Sequence, residues 1–322
     1  MKVLAPLKNS QEVALLIEAG ADEFFCGVTP PGWDARYGGT WANRRAPQSA
    51  GVPDLADFDR IVALSRGRPV YVTLNAPYYP TGAVEMLAEF GSRLIGMGAS
   101  GLVVADMDLL LALVGAGHAA RIHLSSLATC INAEAAKFYR DLGISRIILP
   151  RHLTLGEIEE AVVEGVEFEA FLLNDGCVFE EGLCATTHAA GTFCTLDGEG
   201  TEGVSPETLE GYAFWKWTLN HCGCRTGNGF PLGPCGVCAL PRMLRAGIAS
   251  FKVVGREASL ARKEASVRLA AMALRLALRG ASPEEIREKV VELRGQPELC
   301  RERHLCYYPD LWQQRHQGGS AC

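Results

Sequence analysis

The sequence predicts a (β/α)8 TIM-barrel-like fold, because short apolar runs alternate with amphipathic helical segments from the first residues onward. Most of these runs are nearly continuous in apolar residues, as expected of parallel strands that are covered on both faces. No glycine-rich dinucleotide fingerprint follows the first run, which weakens the alternative of an open doubly wound sheet. Eight strands are expected, at Lys2–Ala5, Glu23–Gly27, Val70–Leu74, Gly101–Ala105, Arg121–Leu124, Arg146–Leu149, Glu167–Leu173 and Ser250–Val254.

Amphipathic helices are expected between these strands and after the last one. Thr154 followed by Glu157 predicts a capping box, and Ser282 followed by Pro283 predicts the start of a helix near the end of the chain. The helical segments are Ser10–Ala19, Asp54–Ser65, Val84–Met97, Asp106–Val114, Ala133–Leu142, Leu155–Glu164 and Leu260–Arg279.

The alternation is interrupted once, over residues 174–240, which are rich in Gly, Cys and Thr and show no period. A loop of this length inside a compact domain is expected to be functional or held by a metal. We therefore expect a barrel domain over residues 1–256, with this insertion between its last two strands. Residues 257–322 are expected to form C-terminal helices and a tail.

Composition and charge narrow the class of protein. The 322 residues are 48% hydrophobic and 21% charged, which is typical of a globular protein and excludes wholesale disorder. The formal net charge of −6 argues against a broad basic surface for duplex nucleic acid. Neither a signal-peptide pattern nor a membrane-spanning apolar run is visible, so we expect no membrane span and a cytoplasmic location.

The twelve cysteines are unevenly distributed. In a reducing compartment, clustered cysteines indicate metal binding or redox chemistry more often than disulfides. Cys26 and Cys130 stand alone in apolar surroundings, where buried packing is expected. Four thiolates suit either zinc or an iron–sulfur cluster, and spacing alone does not choose between the two. Seven cysteines fall within the insertion: Cys177, Cys184, Cys194, Cys222, Cys224, Cys235 and Cys238.

Polar residues at the expected strand ends are the candidates for a site. In this fold the active site lies at the carboxyl ends of the strands, so these side chains should point toward the barrel mouth. We predict catalytic roles for His123, Asn75 and Asp175 among them. The other members of this set are Asp106, Ser125, Arg151, Asn174 and Arg256.

Four stretches of the chain resemble peptidase family U-32, the collagenase-like group that includes iron–sulfur hydroxylases. They read LAPLKNSQEVALLIEAGADEFFCG, YVTLNAPYYP, IHLSSLATCINAEAAKFYRDLGISRIILPRHLTLGEI and CGVCALPRMLRAGIASFKVVGRE. The resemblance extends over roughly residues 2–260. It departs from the family pattern at His152 and Val254, where the family carries acidic residues, so substrate specificity is not carried over with the fold.

The resemblance implies a 4Fe–4S cluster on four cysteines and oxygen-independent hydroxylation with prephenate as the oxygen donor. By similarity to the family, the cluster ligands are Cys177, Cys184, Cys224 and Cys238, with Cys194, Cys222 and Cys235 as alternates and zinc as the alternative metal. A dicarboxylate such as prephenate needs cationic partners, for which the arginine fork is well shaped. The arginines expected to bind it are Arg44, Arg45, Arg151 and Arg256.

The leading expectation is an iron–sulfur-dependent hydroxylase of a small aromatic or quinone-like substrate, as in ubiquinone biosynthesis. Three alternatives stay open: an RNA-base hydroxylase acting on tRNA or rRNA, a U-32-type peptidase, and a cluster-bearing non-catalytic subunit of a paralogue. The expected partners are accordingly a small-molecule substrate, a paralogous subunit or a second copy of the chain, and RNA under the first alternative.

Overall fold

The computed structural model shows a closed barrel of eight parallel strands, which confirms the predicted fold class. The structure describes residues 1–38, 40–174, 234–295, 297–302 and 306–312. Each strand pairs with the next one along the chain, and the last strand pairs with the first. The strands are β1 (Lys2–Pro6), β2 (Glu23–Gly27), β3 (Val70–Leu74), β4 (Gly101–Val104), β5 (Ile122–Leu124), β6 (Arg146–Ile148), β7 (Glu167–Leu173) and β8 (Ser250–Val253).

The helices lie between the strands and after β8. The predicted capping box at Thr154 is present, and the predicted helix start at Ser282 is confirmed and also forms a capping box with Glu285. Several expected boundaries differ by one residue, and three differ in kind or by more: Ser10 begins a 3-10 turn rather than an α-helix, Arg121 belongs to the 3-10 turn before β5, and the helix after β6 ends at Ala161. The helices are α1 (Val13–Ala19), α2 (Trp33–Tyr37), α3 (Pro47–Ala50), α4 (Leu55–Leu64), α5 (Ala83–Gly96), α6 (Met107–Gly115), α7 (Ala133–Asp141), α8 (Leu155–Ala161), α9 (Leu240–Arg245), α10 (Leu260–Leu278), α11 (Pro283–Arg294) and α12 (Pro297–Glu302).

The long helix α10 completes the ring of helices around the barrel. It packs against α1 and β1, so the last βα unit closes onto the first. Lys263 of this helix donates to both carboxylate oxygens of Glu12, at 2.9 and 2.8 Å, and both side chains are buried. This ion pair joins the two ends of the described barrel.

The barrel interior has an apolar layer in its middle. Strands covered by helices bury their outward faces, while their inward faces fill the barrel in layers. Six inward side chains form one compact apolar cluster, separate from the larger core between strands and helices. They are Leu4, Phe25, Tyr71, Val103, Ile148 and Phe171, and we call them the interior apolar layer.

A charged network fills the interior toward the amino-terminal ends of the strands. Arg146 reaches Glu23 at 2.8 Å, Glu167 at 2.7 Å and Glu169 at 3.4 Å. Lys252 pairs with Glu169 at 2.9 Å, and Lys2 pairs with Glu23 at 3.0 Å. Three cations thus face three carboxylates, so the charges balance. The interior ion network consists of Lys2, Glu23, Arg146, Glu167, Glu169 and Lys252.

Within the described ranges, none of the helices combines the length and the apolar character needed to cross a membrane.

Candidate functional site at the barrel mouth

Arg256 is a buried cation just beyond the end of β8. Its side chain is 4% exposed, and its guanidinium donates from Nη1 to Thr73 Oγ1 at 2.9 Å and from Nη2 to Asn43 Oδ1 at 3.1 Å. The same guanidinium lies 6.0 Å from the centre of the Phe25 ring. These contacts fix its position directly above the interior apolar layer.

Arg256 makes no ion pair with a carboxylate among the described residues, although the more distant Glu257 raises its pKa slightly. Among the described residues, no carboxylate oxygen lies within 4 Å of its guanidinium, and both hydrogen-bond acceptors are neutral. Burial, with the positive charge of Arg45, lowers the pKa of Arg256 to about 10, so the side chain stays protonated at neutral pH. Asn43 Nδ2 is also buried with no hydrogen-bond partner in the described part of the chain. The mouth therefore offers a positive charge and a spare amide donor.

Gly27 makes room for this guanidinium. A Cβ atom at Gly27 would come within 2.1 Å of Arg256 Nη1 and 3.1 Å of Asn43 Nδ2. Because real Cβ atoms do not approach so closely, any larger residue at the end of β2 would displace the arginine. The glycine is thus part of the site even though it has no side chain.

The loop after β2 carries two further arginines to the same end of the barrel. The backbone N–H of Arg44 donates to Asn75 Oδ1 at 3.2 Å, and Asn75 Nδ2 donates to Ser125 Oγ at 3.4 Å. Asn75 therefore connects the loops that follow β2, β3 and β5, with both of its polar atoms engaged. Arg45 lies close enough for its charge to lower the pKa of Arg256.

His123 does not lie at the mouth with these groups. It is 5% exposed in the middle of β5, packs on the Tyr71 ring at 4.1 Å between centroids, and pairs in register with Arg146. Burial and the charge of Arg146 lower its pKa well below the usual value, so the imidazole is neutral. The expectation that His123 points to the mouth is therefore wrong, because it faces the interior ion network. Its catalytic role stays an untested prediction.

Other strand-end residues have local structural contacts. Asp106 caps α6 by accepting the N–H of Leu109 at 2.8 Å, and Ser125 caps the following 3-10 turn by accepting the N–H of Leu127. Asn174 Nδ2 donates to Ser266 Oγ at 2.8 Å. Arg151 is buried just after β6, at the same end of the barrel as Arg256.

Most of the expected cluster ligands lie outside the described residues. This applies to Cys177, Cys184, Cys194, Cys222 and Cys224, and to the expected catalytic residue Asp175. Cys235 and Cys238 are described and half-buried. Within the described ranges, no group of three or more His, Cys, Asp or Glu side chains is already arranged to hold a metal ion.

Sequence reasoning missed three contributors to the mouth: Gly27, Asn43 and Thr73. Thr73 is a polar residue at an inward position of the apolar strand VYVTL, and it donates to Cys26 O at 3.1 Å while accepting from Arg256. Period-2 alternation could have marked it. No local signal marks Asn43, because its role depends on contact with Arg256, 213 residues away in the chain.

The sequence of this chain is similar to one protein family and to several characterised proteins. Residues 8–200 match the model of peptidase family U32. A tRNA hydroxylation protein P1 of Bacillus subtilis is 22% identical over 272 residues, which are 80% of this chain and 59% of that protein. A 23S rRNA 5-hydroxycytidine synthase of Escherichia coli is 27% identical over 192 residues, which are 59% of this chain and 27% of that enzyme.

A solved structure from the same family, the U32 peptidase Mk0906, is similar to 53% of this chain with a TM-score of 0.41 and 17% identity. The chain spans less than two thirds of the length of the two curated relatives described above. The family match extends over more than half of the 322 residues. The chain therefore belongs to peptidase family U32.

Proposed function

We propose that this protein is an iron–sulfur-dependent hydroxylase of an RNA base, with an anionic oxygen donor bound at the barrel mouth. The observation that carries the proposal is Arg256, a buried cation held at the carboxyl end of the strands without a carboxylate partner among the described residues. A buried charge of this kind is costly unless an anion compensates it. A carboxylate of prephenate is such an anion.

The named relatives favour RNA over a quinone-like acceptor. Their names refer to hydroxylation of tRNA and to 5-hydroxycytidine in 23S rRNA. This corresponds to the alternative of an RNA-base hydroxylase rather than to the leading expectation of a small aromatic or quinone-like substrate. A net charge of −6 does not provide a broad RNA-binding surface. The positive charge needed to bind an RNA strand would then come locally, from Arg44, Arg45 and Arg151 around the mouth.

The donor set in the cysteine-rich insertion fits an iron–sulfur cluster, because thiolates are the ligands that such clusters use. Cys177, Cys184, Cys224 and Cys238 would hold it by family resemblance, with zinc as the alternative metal. When bound, the cluster supplies one-electron chemistry for oxygen transfer. Cys238 lies in the 3-10 turn Val237–Ala239 that precedes α9, three residues after Cys235, which pairs with Leu173 at the carboxyl end of β7.

The residues at the mouth have distinct proposed roles. Arg256 binds a carboxylate of the donor with the fork geometry that favours bidentate pairing. Asn75 is a positioning residue, because its contacts to Arg44 and Ser125 fix the loops around the substrate. Asp175 directly follows Asn174 and stays a candidate for proton transfer.

The test compares nucleosides and quinones from cells with and without the gene. We expect one hydroxylated nucleoside of tRNA or rRNA to disappear on deletion and to return with the wild-type gene. The variant Arg256→Met should restore less than about a tenth of it, because a buried charge-assisted contact is worth several kcal/mol. The control is Arg121→Met, an exposed arginine before β5 at the opposite end of the barrel.

If deletion leaves the nucleosides unchanged but removes a hydroxylated quinone precursor, the RNA proposal is wrong and the small-molecule hypothesis is favoured. Full rescue by Arg256→Met would instead contradict the role given to this arginine. If rescue requires a second homologous chain, this protein would be a non-catalytic subunit of that paralogue.

A further inference from the structure

Four cysteines from two distant parts of the chain line a single cavity. Cys235, Cys238, Cys300 and Cys306 border a space of about 510 Å³, part of it open to solvent, together with Arg294. All four carry free thiols. The first pair belongs to the end of the insertion, and the second pair belongs to the tail, where sequence reasoning found no role for it.

Backbone pairing brings the tail to this position. Cys235 forms an isolated antiparallel bridge with Leu173 at the end of β7 and a parallel bridge with Cys306. The N–H of Tyr307 donates to Cys235 O at 3.0 Å, and the hydroxyl of Tyr308 donates to Phe171 O at 2.8 Å. The two cysteine pairs are thus held together by the fold.

Close packing at Gly236 holds the same contact. A Cβ atom at this position would approach the Tyr308 ring to 2.6 Å, so only glycine lets the tail lie against the Cys235–Cys238 turn. Tyr308 itself is 1% exposed, so the segment is anchored in the core.

Arg294 is a buried cation that faces the same cavity. It is 3% exposed, and its Nε and Nη2 atoms have no hydrogen-bond partner in the described part of the chain, where no carboxylate lies within 4 Å either. Four neutral thiols do not compensate its charge. Four thiolates around a divalent metal carry a net charge of about −2, as do four thiolates around an oxidised 4Fe–4S core, and either would compensate it.

Two N–H groups also point at one of the sulfurs. The backbone N–H of Tyr308 and the indole N–H of Trp312 both hydrogen-bond to the Cys306 sulfur. Hydrogen-bond donors to a sulfur are a regular part of the surroundings of thiolate-bound metals. These donors, like Arg294, lie where a metal-bound thiolate at Cys306 would use them.

We propose that Cys235, Cys238, Cys300 and Cys306 bind a thiophilic metal as one tetrathiolate centre, either zinc or an iron–sulfur cluster. Binding of a divalent ion releases four thiol protons to solvent and forms four metal–sulfur bonds with no change of oxidation state. The thiols line the cavity without being arranged around an ion, so rotation about the single χ1 bond of each cysteine accompanies binding.

This centre changes the ligand set expected from family resemblance. It takes Cys238 and its alternate Cys235, which leaves Cys177, Cys184 and Cys224 with either Cys194 or Cys222 for the cluster of the insertion. The centre also has a structural consequence at the mouth. Tyr307, between the bonded neighbours Cys306 and Tyr308, packs against the interior apolar layer, so a metal here would fix Tyr307 over the barrel interior.

The test measures metal in the full-length protein after anaerobic purification. We expect Cys300→Ala and Cys306→Ala each to lose the metal of one centre, whereas the control Cys130→Ala, a buried cysteine away from the cavity, keeps the wild-type content. Iron lost together with acid-labile sulfide identifies a cluster, and zinc lost alone identifies a single ion. Cys177→Ala should leave this centre filled, which separates it from the proposed hydroxylase cluster.

Wild-type metal content in both tail variants would overturn the proposal, as would a disulfide between any two of the four cysteines. A second measurement uses only the wild-type protein, so it does not depend on how the variants fold. Cys235 and Cys306 should be alkylated at least tenfold faster after a chelator removes the metal, and equal rates before and after would overturn the proposal. If the wild-type protein binds this metal but the nucleosides of tRNA and rRNA are the same with and without the gene, the proposed function fails and the metal centre stands.

Discussion

Glu23 carries a buried charge that pairs with Arg146 and Lys2 inside the barrel, and the variant Glu23→Gln tests how much this charge stabilises the fold. The side chain is fully buried. It accepts from both Nη atoms of Arg146, at 2.8 and 2.9 Å, and from the hydroxyls of Tyr71 at 3.1 Å and Ser250 at 2.9 Å. Glutamine has nearly the same shape, so the substitution removes the charge without opening a cavity.

The expected loss of stability follows from two independent arguments. Removing one partner of a buried ion pair costs about 3–5 kcal/mol, because the other charge stays buried. Burial raises the pKa of Glu23, but Arg146 and Lys2 lower it more, from 4.5 to about 2. A shift of this size corresponds to about 3 kcal/mol of stability at neutral pH. The two figures agree, and the loss is a large part of the roughly 5–15 kcal/mol that stabilises a typical domain.

Denaturant unfolding at several pH values measures this loss. The folded pKa of Glu23 is depressed, so its contribution is present above the unfolded pKa near 4.5 and disappears as the pH falls toward 2. The difference between wild type and Glu23→Gln should therefore be about 3 kcal/mol at pH 7 and should shrink below pH 4.5.

The matched control is Glu134→Gln, which breaks an exposed pair with Lys137 at 2.6 Å. This variant should lose less than about 0.5 kcal/mol, because solvent screens the pair. A loss below about 1 kcal/mol for Glu23→Gln at pH 7, or a loss that does not vary between pH 4.5 and 2, would refute the reasoning.

Three further variants have defined outcomes. Gly27→Ala should displace the Arg256 guanidinium, so that thermal stabilisation by added prephenate disappears while far-ultraviolet circular dichroism still reports a folded barrel; retained stabilisation would contradict the site. Lys263→Met should cost about 3–5 kcal/mol by leaving Glu12 buried without its partner, and adding Glu12→Leu should recover most of it. Ser282→Ala should cost about 1 kcal/mol by removing the capping box of α11, with chemical denaturation as the measurement.

The strands were predictable because their signal is local. Glu23–Gly27, Val70–Leu74 and Glu167–Leu173 have the predicted bounds, since each is a run of β-forming residues bounded by turn-forming or polar residues. Helix starts were less accurate. The segment that begins at Ser10 first forms a 3-10 turn. Apolar periodicity does not reveal this, because the type of the first turn depends on its hydrogen-bond geometry.

The interior ion network was not predictable from these runs. Glu23 and Arg146 are 123 residues apart, and each is the polar residue that begins an otherwise apolar strand. A parallel barrel buries both faces of every strand, so a polar residue at an inward position has no solvent to face and needs a partner on another strand. Sequence alone does not identify that partner. The position of Arg256 at the mouth, in contrast, was predictable from the sequence, because the end of a strand is a local feature.

The contrast between the two ends of the barrel interior supports the assignment of function. At the amino-terminal end, Lys2, Arg146 and Lys252 are matched by three carboxylates at 2.7–3.4 Å. At the carboxyl-terminal end, Arg256 is also buried, and its hydrogen-bond acceptors among the described residues are the neutral oxygens of Thr73 and Asn43. The chain has 37 acidic residues, so a lack of carboxylates is not the reason. An arginine that served only stability would be more stable next to carboxylates, as Arg146 is. A mouth that binds an anion instead leaves the arginine charge to be neutralised by the bound ligand.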